Sequence, residues 1–200
     1  MRLRLPGRSP VDYQVLRDYA FVADHRLRIG LTAAMVAWMA PRSVLDPACG
    51  DGSIVASANA IRPIESALLA DVSRDNFYAV GTGPVRGKLP VDTRVKCQSI
   101  EETLRTTDTF DLVVLTEILE HLDDPVSILR LARERASVLV ASSPMFPNDL
   151  ILDPNPEHLW QFDIYGFGQM LLEGGWDTTV AMVPVNLADS HYDYQLWIVR

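Results

Sequence analysis

One short segment constrains the fold of this chain more than any other. An apolar run at 43–46 ends in an acid, Asp46, and small residues then follow at alternate positions: Ala48, Gly50 and Gly52. Small side chains allow unusual backbone dihedrals and let a ligand approach the main chain closely. A buried strand that enters a helix through such a turn is typical of α/β proteins, whose ligands bind at the carboxyl ends of the strands.

Apolar runs of strand length recur along the chain and alternate with helical patterns. The run at 110–115 is the clearest, because it is continuous and contains β-branched residues. Strands that alternate with helices indicate a mostly parallel sheet with both faces covered. The predicted strands are 43–46, 67–71, 93–97, 110–115 and 137–141, followed late in the chain by 177–183 and 194–199.

Helical patterns and turn residues complete this architecture. Only a short polar connection joins the last two strands, which predicts a hairpin that adds an antiparallel strand at the sheet edge. We therefore predict a doubly wound α/β fold with a mostly parallel, seven-stranded sheet and an antiparallel edge strand. Residues 1–200 would form a single domain in which 1–40 are a helical N-terminal cap. The predicted helices are 10–23, 27–40, 53–61, 74–80, 125–135 and 164–173, and 81–92 is predicted as a loop.

Charge and composition narrow the choice of ligand. The chain has 18 Lys and Arg residues against 26 Asp and Glu, a formal net charge of −8. Such a protein repels phosphate backbones at long range, which disfavours a nucleic-acid substrate. The one basic cluster, at Arg2, Arg4 and Arg8, is interpreted as a solvated, frayed end. Two cysteines without regular spacing favour a reduced, cytoplasmic compartment, and no apolar stretch near the N-terminus is long enough to span a bilayer.

The glycine turn argues against a dinucleotide ligand. A dinucleotide fingerprint places glycines as G-x-G-x-x-G so that a helix N-terminus can hold a pyrophosphate. Here the spacing is A-x-G-x-G, and Asp46 would repel a pyrophosphate but attract a cation. S-adenosylmethionine (SAM) carries an ammonium and a sulfonium. A second acid, Asp71, ends the next predicted strand and is placed to accept hydrogen bonds from ribose hydroxyls.

These segments, in this order, closely resemble the class I SAM-dependent methyltransferases. The likeness covers most of the chain after residue 43, although Ala48 stands where the family usually has its first glycine. Its later part is similar to the subgroup that methylates small molecules. The resemblance implies a Rossmann-like methyltransferase fold, SAM as cofactor and S-adenosylhomocysteine (SAH) as product. It is carried by 44–53, 67–71, 97–102, 110–125, 143–144 and 158–162.

The family's pattern also assigns residues to the cofactor. Many relatives have an acid where Gln98 stands, so an amide would make that contact here; for Gln98 and Ser99 a plain turn is the alternative. The residues that would hold the methionine portion are Asp46, Ala48, Cys49, Gly50 and Gly52. Those assigned to the rest of SAM are Asp71 for the ribose, Val72 for the adenine face, Gln98, Ser99 and Ile100 for the adenine edge, and Thr116 and Glu117 beneath the sulfonium.

Methyl transfer depends on holding two reactants in a near-attack geometry more than on a protein nucleophile. A general base would assist where the acceptor is a hydroxyl or an ammonium, and the candidates are His158, His121 and Glu117. Both histidines have a structural role as the alternative. The four histidines and two cysteines show no ligand spacing, so no metal is expected. Arg28 is a candidate for the cofactor carboxylate, although a surface position on its helix is the simpler interpretation.

The predicted function is therefore transfer of a methyl group from SAM to an O, N or C atom of a small-molecule acceptor. Two alternatives stay open at this point. An amino-methylating nucleic-acid enzyme would carry an Asn/Asp-Pro-Pro-aromatic motif after the fourth strand, where this chain reads TEIL at 116–119. A SAM-binding partner subunit without catalysis would keep Asp46 and Asp71 and would not turn over.

Overall fold

The computed structural model describes residues 1–8, 23–146, 155–185 and 193–200. Nearly all of the predicted helix 10–23 and the connection between the last two strands lie outside these ranges. The helices are α1 Ala23–Met39, α2 Ser53–Ile61, α3 Arg74–Thr82, α4 Ile100–Thr106, α5 Pro125–Arg135 and α6 Ile164–Glu173. The strands are β1 Arg2–Arg4, β2 Ser43–Asp46, β3 Ser66–Asp71, β4 Asp92–Cys97, β5 Phe110–Thr116, β6 Ala136–Met145, β7 Trp160–Phe162, β8 Thr179–Val185 and β9 Asp193–Val199.

The main sheet has seven strands in the order β4-β3-β2-β5-β6-β9-β8. Strands β2 to β6 are parallel to one another, and β9 runs antiparallel between β6 and β8. The predicted doubly wound, mostly parallel sheet with an antiparallel addition at one edge is confirmed. The strand order reverses between β2 and β5, and an open α/β sheet binds its ligand at the carboxyl ends beside such a switch point.

The hydrophobic core lies on both faces of this sheet. Successive residues of a strand point to opposite faces, so Val44 and Leu45 of β2 belong to two different buried clusters. The Val44 cluster includes Val36 of α1 and Val55 of α2. The Leu45 cluster includes residues of α4, α5 and α6. No helix among the described residues has both the length and the hydropathy to cross a membrane.

Helix boundaries follow the capping residues of the sequence. Helix α5 has Pro125 in its first turn, and the side chain of Asp124 accepts a hydrogen bond from the Ser127 amide at 3.1 Å. The prediction missed the short helix α4, although Ser99 caps it by accepting from the Glu102 amide at 3.2 Å. The predicted loop 81–92 was partly wrong, because α3 continues to Thr82 and a 3₁₀ turn follows at 86–88.

The N-terminal arginines are not a frayed end. Strand β1 pairs antiparallel with β7, a strand that was not predicted. The segment 1–40, predicted as a helical cap, therefore begins with a strand and not with a helix. Arg2 forms an ion pair with Glu173 at 2.8 Å, and Arg4 forms one with Asp123 at 2.9 Å. Both guanidinium groups lie over the ring of Trp160, at 5.7 and 5.3 Å from its centroid. Backbone pairing and ring contacts across distant segments hold this end in place.

Candidate active site

The turn after β2 depends on its glycines. Gly50 and Gly52 have φ of 54° and 78°, in the left-handed region that disfavours other residues. A Cβ on Gly52 would also lie 3.4 Å from the side chains of Leu69 and Val80. The turn is closed by Cys49, whose amide donates to the carbonyl of residue 70 at 2.9 Å. The backbone therefore comes close to the carboxyl end of β3.

Asp71, at the end of β3, ties two loops together. Its Oδ2 accepts a hydrogen bond from the Gly50 amide, and its Oδ1 accepts one from the Ser73 amide, both at 2.9 Å. Each carboxylate oxygen has two lone pairs, so further donors can be accepted. The structure thus brings the second predicted acid onto the glycine turn, at the same sheet edge as Asp46.

Asp46 is buried with 2% of its surface exposed. Burial raises the pKa of its carboxyl group to about 8, the negative charges of Asp71 and Asp51 act in the same direction, and the Ala48 amide opposes them. Its Oδ2 has no hydrogen-bond partner among the residues that the structure describes. A buried acid close to other acids is costly to ionise, and a ligand cation would lower that cost.

The two cysteines are free thiols in different surroundings. Cys49 contributes its backbone to the turn, and its side chain is buried. Burial, with the charges of Asp46 and Asp71 added, raises the pKa of the Cys49 thiol well above its ordinary value. A thiol in this state is a poor nucleophile, so its place in the turn is structural.

The segment after β4 lies beside Asp71, because the Gln98 amide donates to the Asp71 carbonyl at 3.1 Å. The Gln98 side chain donates through Nε2 to Glu102 at 2.8 Å, whereas its Oε1 is buried and lacks a partner in the described part of the chain. Ser99 uses its hydroxyl to cap α4. Val72 is 53% exposed at the same edge. A buried acceptor and an apolar surface therefore lie next to each other.

Glu117, just past β5, has a strained backbone. Its φ is 53°, which a residue with a side chain rarely adopts and which is often found at functional sites. The Glu117 amide donates to the Ser142 carbonyl at 3.1 Å, and the Ser142 hydroxyl donates to Glu117 Oε1 at 2.6 Å. These bonds hold the carboxylate to β6, while Thr116 ends β5 at the switch point.

The two candidate histidines lie together. The rings of His121 and His158 have centroids 4.7 Å apart and planes at 72°. His121 Nδ1 lies 3.1 Å from the Glu157 carbonyl, and Asn155 Nδ2 lies 3.0 Å from His158 Nε2. Glu120, which the sequence analysis did not single out, is buried beside them, and ligand atoms of Glu120, His121 and His158 lie within 4.8 Å of one another. In the sequence, the adjacent pair Glu120 and His121 is the pattern that could have indicated this cluster.

Arg28 differs from its predicted surface position. It is only 7% exposed on α1, and its Nε has no hydrogen-bond partner among the described residues. A buried guanidinium of this kind calls for an acidic partner. The interpretation as a surface residue was therefore wrong, and the carboxylate of a ligand is a suitable partner for it.

A doubly wound sheet with a glycine turn and acids at its switch point defines a Rossmann-like protein. Residues 45–135 match the model of a family described as a methyltransferase domain. This segment of the chain is similar to SAM-dependent methyltransferases, whose cofactor is SAM and whose product is SAH. A comparison with curated proteins finds no match.

Solved structures share this fold. The N-terminal domain of EvdMO1, crystallised in the presence of SAH and D-fucose, is 16% identical, with a TM-score of 0.65 over 97% of this chain and 90% of that chain. The N-methyltransferase NodS from Bradyrhizobium japonicum WM9 is 16% identical, with a TM-score of 0.68 over 90% and 97%. Magnesium protoporphyrin IX methyltransferase (ChlM) from Synechocystis PCC 6803, with bound SAH, is 16% identical, with a TM-score of 0.67 over 95% and 90%.

Proposed function

We propose that this chain is a SAM-dependent methyltransferase that acts on an O, N or C atom of a small-molecule acceptor, with SAM held along the carboxyl ends of β2, β3 and β4. The observation that carries the assignment of the site is the buried Asp46 carboxyl group beside Asp71 and the glycine turn. The carboxylates of Asp51 and Asp71 beside it create a negative potential that suits a cationic ligand and opposes a pyrophosphate.

The residues around the turn fit the methionine portion of SAM. Asp46 Oδ2 would accept from its ammonium, and Arg28 would pair with its carboxylate; both side chains are buried and have an atom without a partner among the described residues. Ala48 and Cys49 would contribute backbone, and Gly50 would let the ligand approach closely. Gly52 is the N-cap residue of α2 and has a left-handed backbone conformation.

The next loops fit the nucleoside. Asp71 would accept from the ribose hydroxyls with lone pairs that its backbone partners leave over. Val72 would pack on the adenine ring, and Gln98 Oε1 would accept from the adenine amine. Ser99 and Ile100 would line the adenine edge through the first turn of α4, since the Ser99 hydroxyl already caps that helix.

Bound SAM supplies an electrophilic methyl group on a sulfonium. Thr116 and Glu117 would lie beneath that sulfonium, and the Glu117 carboxylate is already held in place by Ser142. A hydroxyl or ammonium acceptor loses a proton as it is methylated, and His158, His121 or Glu117 would receive it. His158 is buried at 5% exposure, so its basic nitrogen is sheltered from bulk water.

A small-molecule acceptor is supported by charge and by the structural neighbours. The net charge of −8 opposes binding to a nucleic-acid backbone. One neighbour was crystallised in the presence of D-fucose and another is a magnesium protoporphyrin IX methyltransferase, and both of these compounds are small molecules. We also propose that the chain acts in the cytoplasm as a single domain, in keeping with its free cysteines.

Calorimetric titration of the purified chain with SAM and, separately, with NAD tests the cofactor site. We expect saturable binding of SAM and no heat with NAD, followed by SAH formation in a screen of hydroxyl- and amine-bearing metabolites with oligonucleotides as the comparison. Absence of SAM binding would overturn the assignment of the site. SAM binding without turnover would favour a non-catalytic partner subunit, and turnover on oligonucleotides alone would overturn the acceptor class.

A further inference from the structure

We propose that Glu120, His121 and His158 bind one divalent transition-metal ion, such as Zn²⁺ or Mn²⁺. Their ligand atoms all lie within 4.8 Å of one another. Two ligand atoms of one tetrahedral Zn²⁺ lie about 3.4 Å apart, because each bond is about 2.0–2.2 Å long. Binding therefore needs an inward movement of these side chains by about 1 Å.

The chemistry of the cluster suits such an ion. Two imidazoles and one carboxylate form a donor set that Zn²⁺, Mn²⁺ and Fe²⁺ accept, whereas Mg²⁺ prefers oxygen alone. Glu120 is 1% exposed and His158 is 5% exposed, so these groups are sheltered from competing water. Three protein ligands leave a coordination position open, which is the arrangement of catalytic and not of structural sites.

Backbone and side-chain hydrogen bonds hold the ligands in place before any ion arrives. The Leu159 amide donates to the Glu120 carbonyl at 2.7 Å, and Trp160 Nε1 donates to the Leu122 carbonyl at 2.8 Å. The turn at 119–122 is thereby tied to the segment that carries His158. Pre-organisation of this kind lowers the conformational cost of binding.

The hydrogen bond of His121 selects a ligating tautomer. The Glu157 carbonyl can only accept, so the contact at 3.1 Å places the proton on Nδ1 and leaves the lone pair on Nε2. Metal-bound histidines commonly donate their other ring N–H to a carbonyl or carboxylate. The Asn155 amide, 3.0 Å from His158 Nε2, donates to the lone pair of this nitrogen, so an ion that binds His158 through Nε2 would replace this hydrogen bond.

The position of the cluster indicates what the ion would do. Glu120 and His121 lie in the 3₁₀ turn that follows β5, a few residues after Glu117 at the carboxyl edge of the sheet. If the methyl group is presented there, which rests on the proposed function, an acceptor oxygen would fill the open position. The ion would then favour acceptors that carry a hydroxyl group and would orient that oxygen towards the methyl group. With both imidazoles bound to the ion, Glu117 would be the candidate that receives the acceptor's proton.

Arg8 offers a competing explanation for the burial of Glu120. Its guanidinium donates to the His158 carbonyl at 2.9 Å and also to the Asn155 carbonyl, so a fixed positive charge lies next to the cluster. This charge would balance Glu120 without a metal. The two explanations differ in one measurable property, because only the proposed site binds an added cation stoichiometrically.

Chelator-treated protein is titrated calorimetrically with ZnCl₂, MnCl₂ and MgCl₂ in separate experiments. We expect one Zn²⁺ or Mn²⁺ per chain and weaker binding of Mg²⁺. Glu120→Gln and His158→Gln should each weaken Zn²⁺ binding by about 10-fold or more. Glu134→Gln makes the same carboxyl-to-amide change at a side chain that is 63% exposed, and it should leave the affinity unchanged.

No saturable binding, or equal affinities in Glu120→Gln and Glu134→Gln, would overturn the site. SAM titration of the same samples keeps the two proposals separate, since SAM binding without ion binding removes only the metal site. Should the Glu120 variant not fold, anomalous diffraction from wild-type crystals soaked in ZnCl₂ decides: an ion between Glu120 and His158 supports the site, and its absence there refutes it.

Discussion

The two halves of the candidate active site are built differently. The cofactor edge comprises the turn 47–52 with Asp46 and Asp71, and most of its contacts join residues of two neighbouring β–turn–α units. The acceptor side comprises the turn 119–122 and the segment 155–160, which meet only through tertiary contacts. The first half is a property of a local motif, and the second is a property of the whole fold.

The acceptor side also depends on the N-terminal strand. Strand β7 begins two residues after His158 and pairs with β1, while the Leu5 amide donates to the Leu159 carbonyl at 2.8 Å. Two ion pairs and the ring of Trp160 reinforce this contact. We therefore expect disturbances of β1 to affect the acceptor side and to spare the cofactor edge.

The largest effect is expected for Gly166→Ala. A Cβ at this position would lie 1.7 Å from the Met1 carbonyl oxygen, so the chain preceding β1 must move. We expect the free energy of unfolding to fall by about 3 kcal/mol, the upper range for overpacking. Urea denaturation measures this loss, and calorimetry should show an unchanged affinity for SAM.

Gly81→Ala is the matched control, because nothing lies within 4 Å of the added Cβ and the residue is in α3. Alanine favours a helix over glycine by about 0.5–1 kcal/mol, so this variant should be as stable as wild type or more so. A loss of SAM affinity in Gly166→Ala equal to its loss of stability would contradict the independence of the two halves.

The same contrast explains what could be predicted from the sequence. The strand, the acid and the glycine turn at 43–52 lie within one stretch, so their pattern predicted both the element and its ligand class. Helices α5 and α6 were predicted with the ends observed, since capping residues and glycines mark them. In each of these cases, residues close together in the sequence were enough to predict the element.

The remaining features needed tertiary structure. Strands β1 and β7 are each three residues long, too short for a period-2 pattern, and exist because they pair with each other. Glu120 reads as an ordinary polar residue of a turn, and its burial beside His158 follows from the packing of a distant segment. Arg28 likewise lies on a helix whose buried face its sequence did not define.

The second prediction tests the cofactor edge through Asp71→Ala. The ribose loses an ionised acceptor, and hydrogen bonds to charged groups contribute about 1.5–3 kcal/mol each, so SAM affinity should fall by about 100-fold. The hydrogen bonds that Asp71 accepts from the Gly50 and Ser73 amides are lost as well, so some loss of stability is expected. Asp75→Ala, an exposed acid on α3, serves as the control; equal affinities in the two variants would refute the ribose assignment.

The third prediction concerns the pH dependence that Asp46 imposes. Its pKa is raised from 3.8 to about 8, so the folded chain keeps a proton that the unfolded chain has lost. The ligand-free protein should therefore lose stability as pH rises from 3.8 to about 8. Binding of the SAM ammonium favours the ionised carboxylate, so SAM affinity should increase about tenfold between about pH 6 and pH 7.

Asp46→Asn should abolish the pH dependence of SAM affinity, because the amide does not titrate. Asp92→Asn changes an exposed acid at the start of β4 and should retain it. Calorimetric titrations of SAM at several pH values compare the three proteins. A wild-type affinity that is flat over this range would contradict the contact between Asp46 and the ammonium.

The smallest effect is expected at the adenine end, where one side chain forms a single neutral contact. Gln98→Ala removes the buried Oε1 acceptor, and since a neutral hydrogen bond contributes about 1 kcal/mol, SAM affinity should fall about fivefold. Ser99→Ala removes only the cap of α4, so it should cost about 1 kcal/mol of stability and leave SAM affinity nearly intact. If Ser99→Ala weakened SAM binding more than Gln98→Ala, adenine recognition would depend on the position of α4, and this part of the cofactor edge would share the long-range character of the acceptor side.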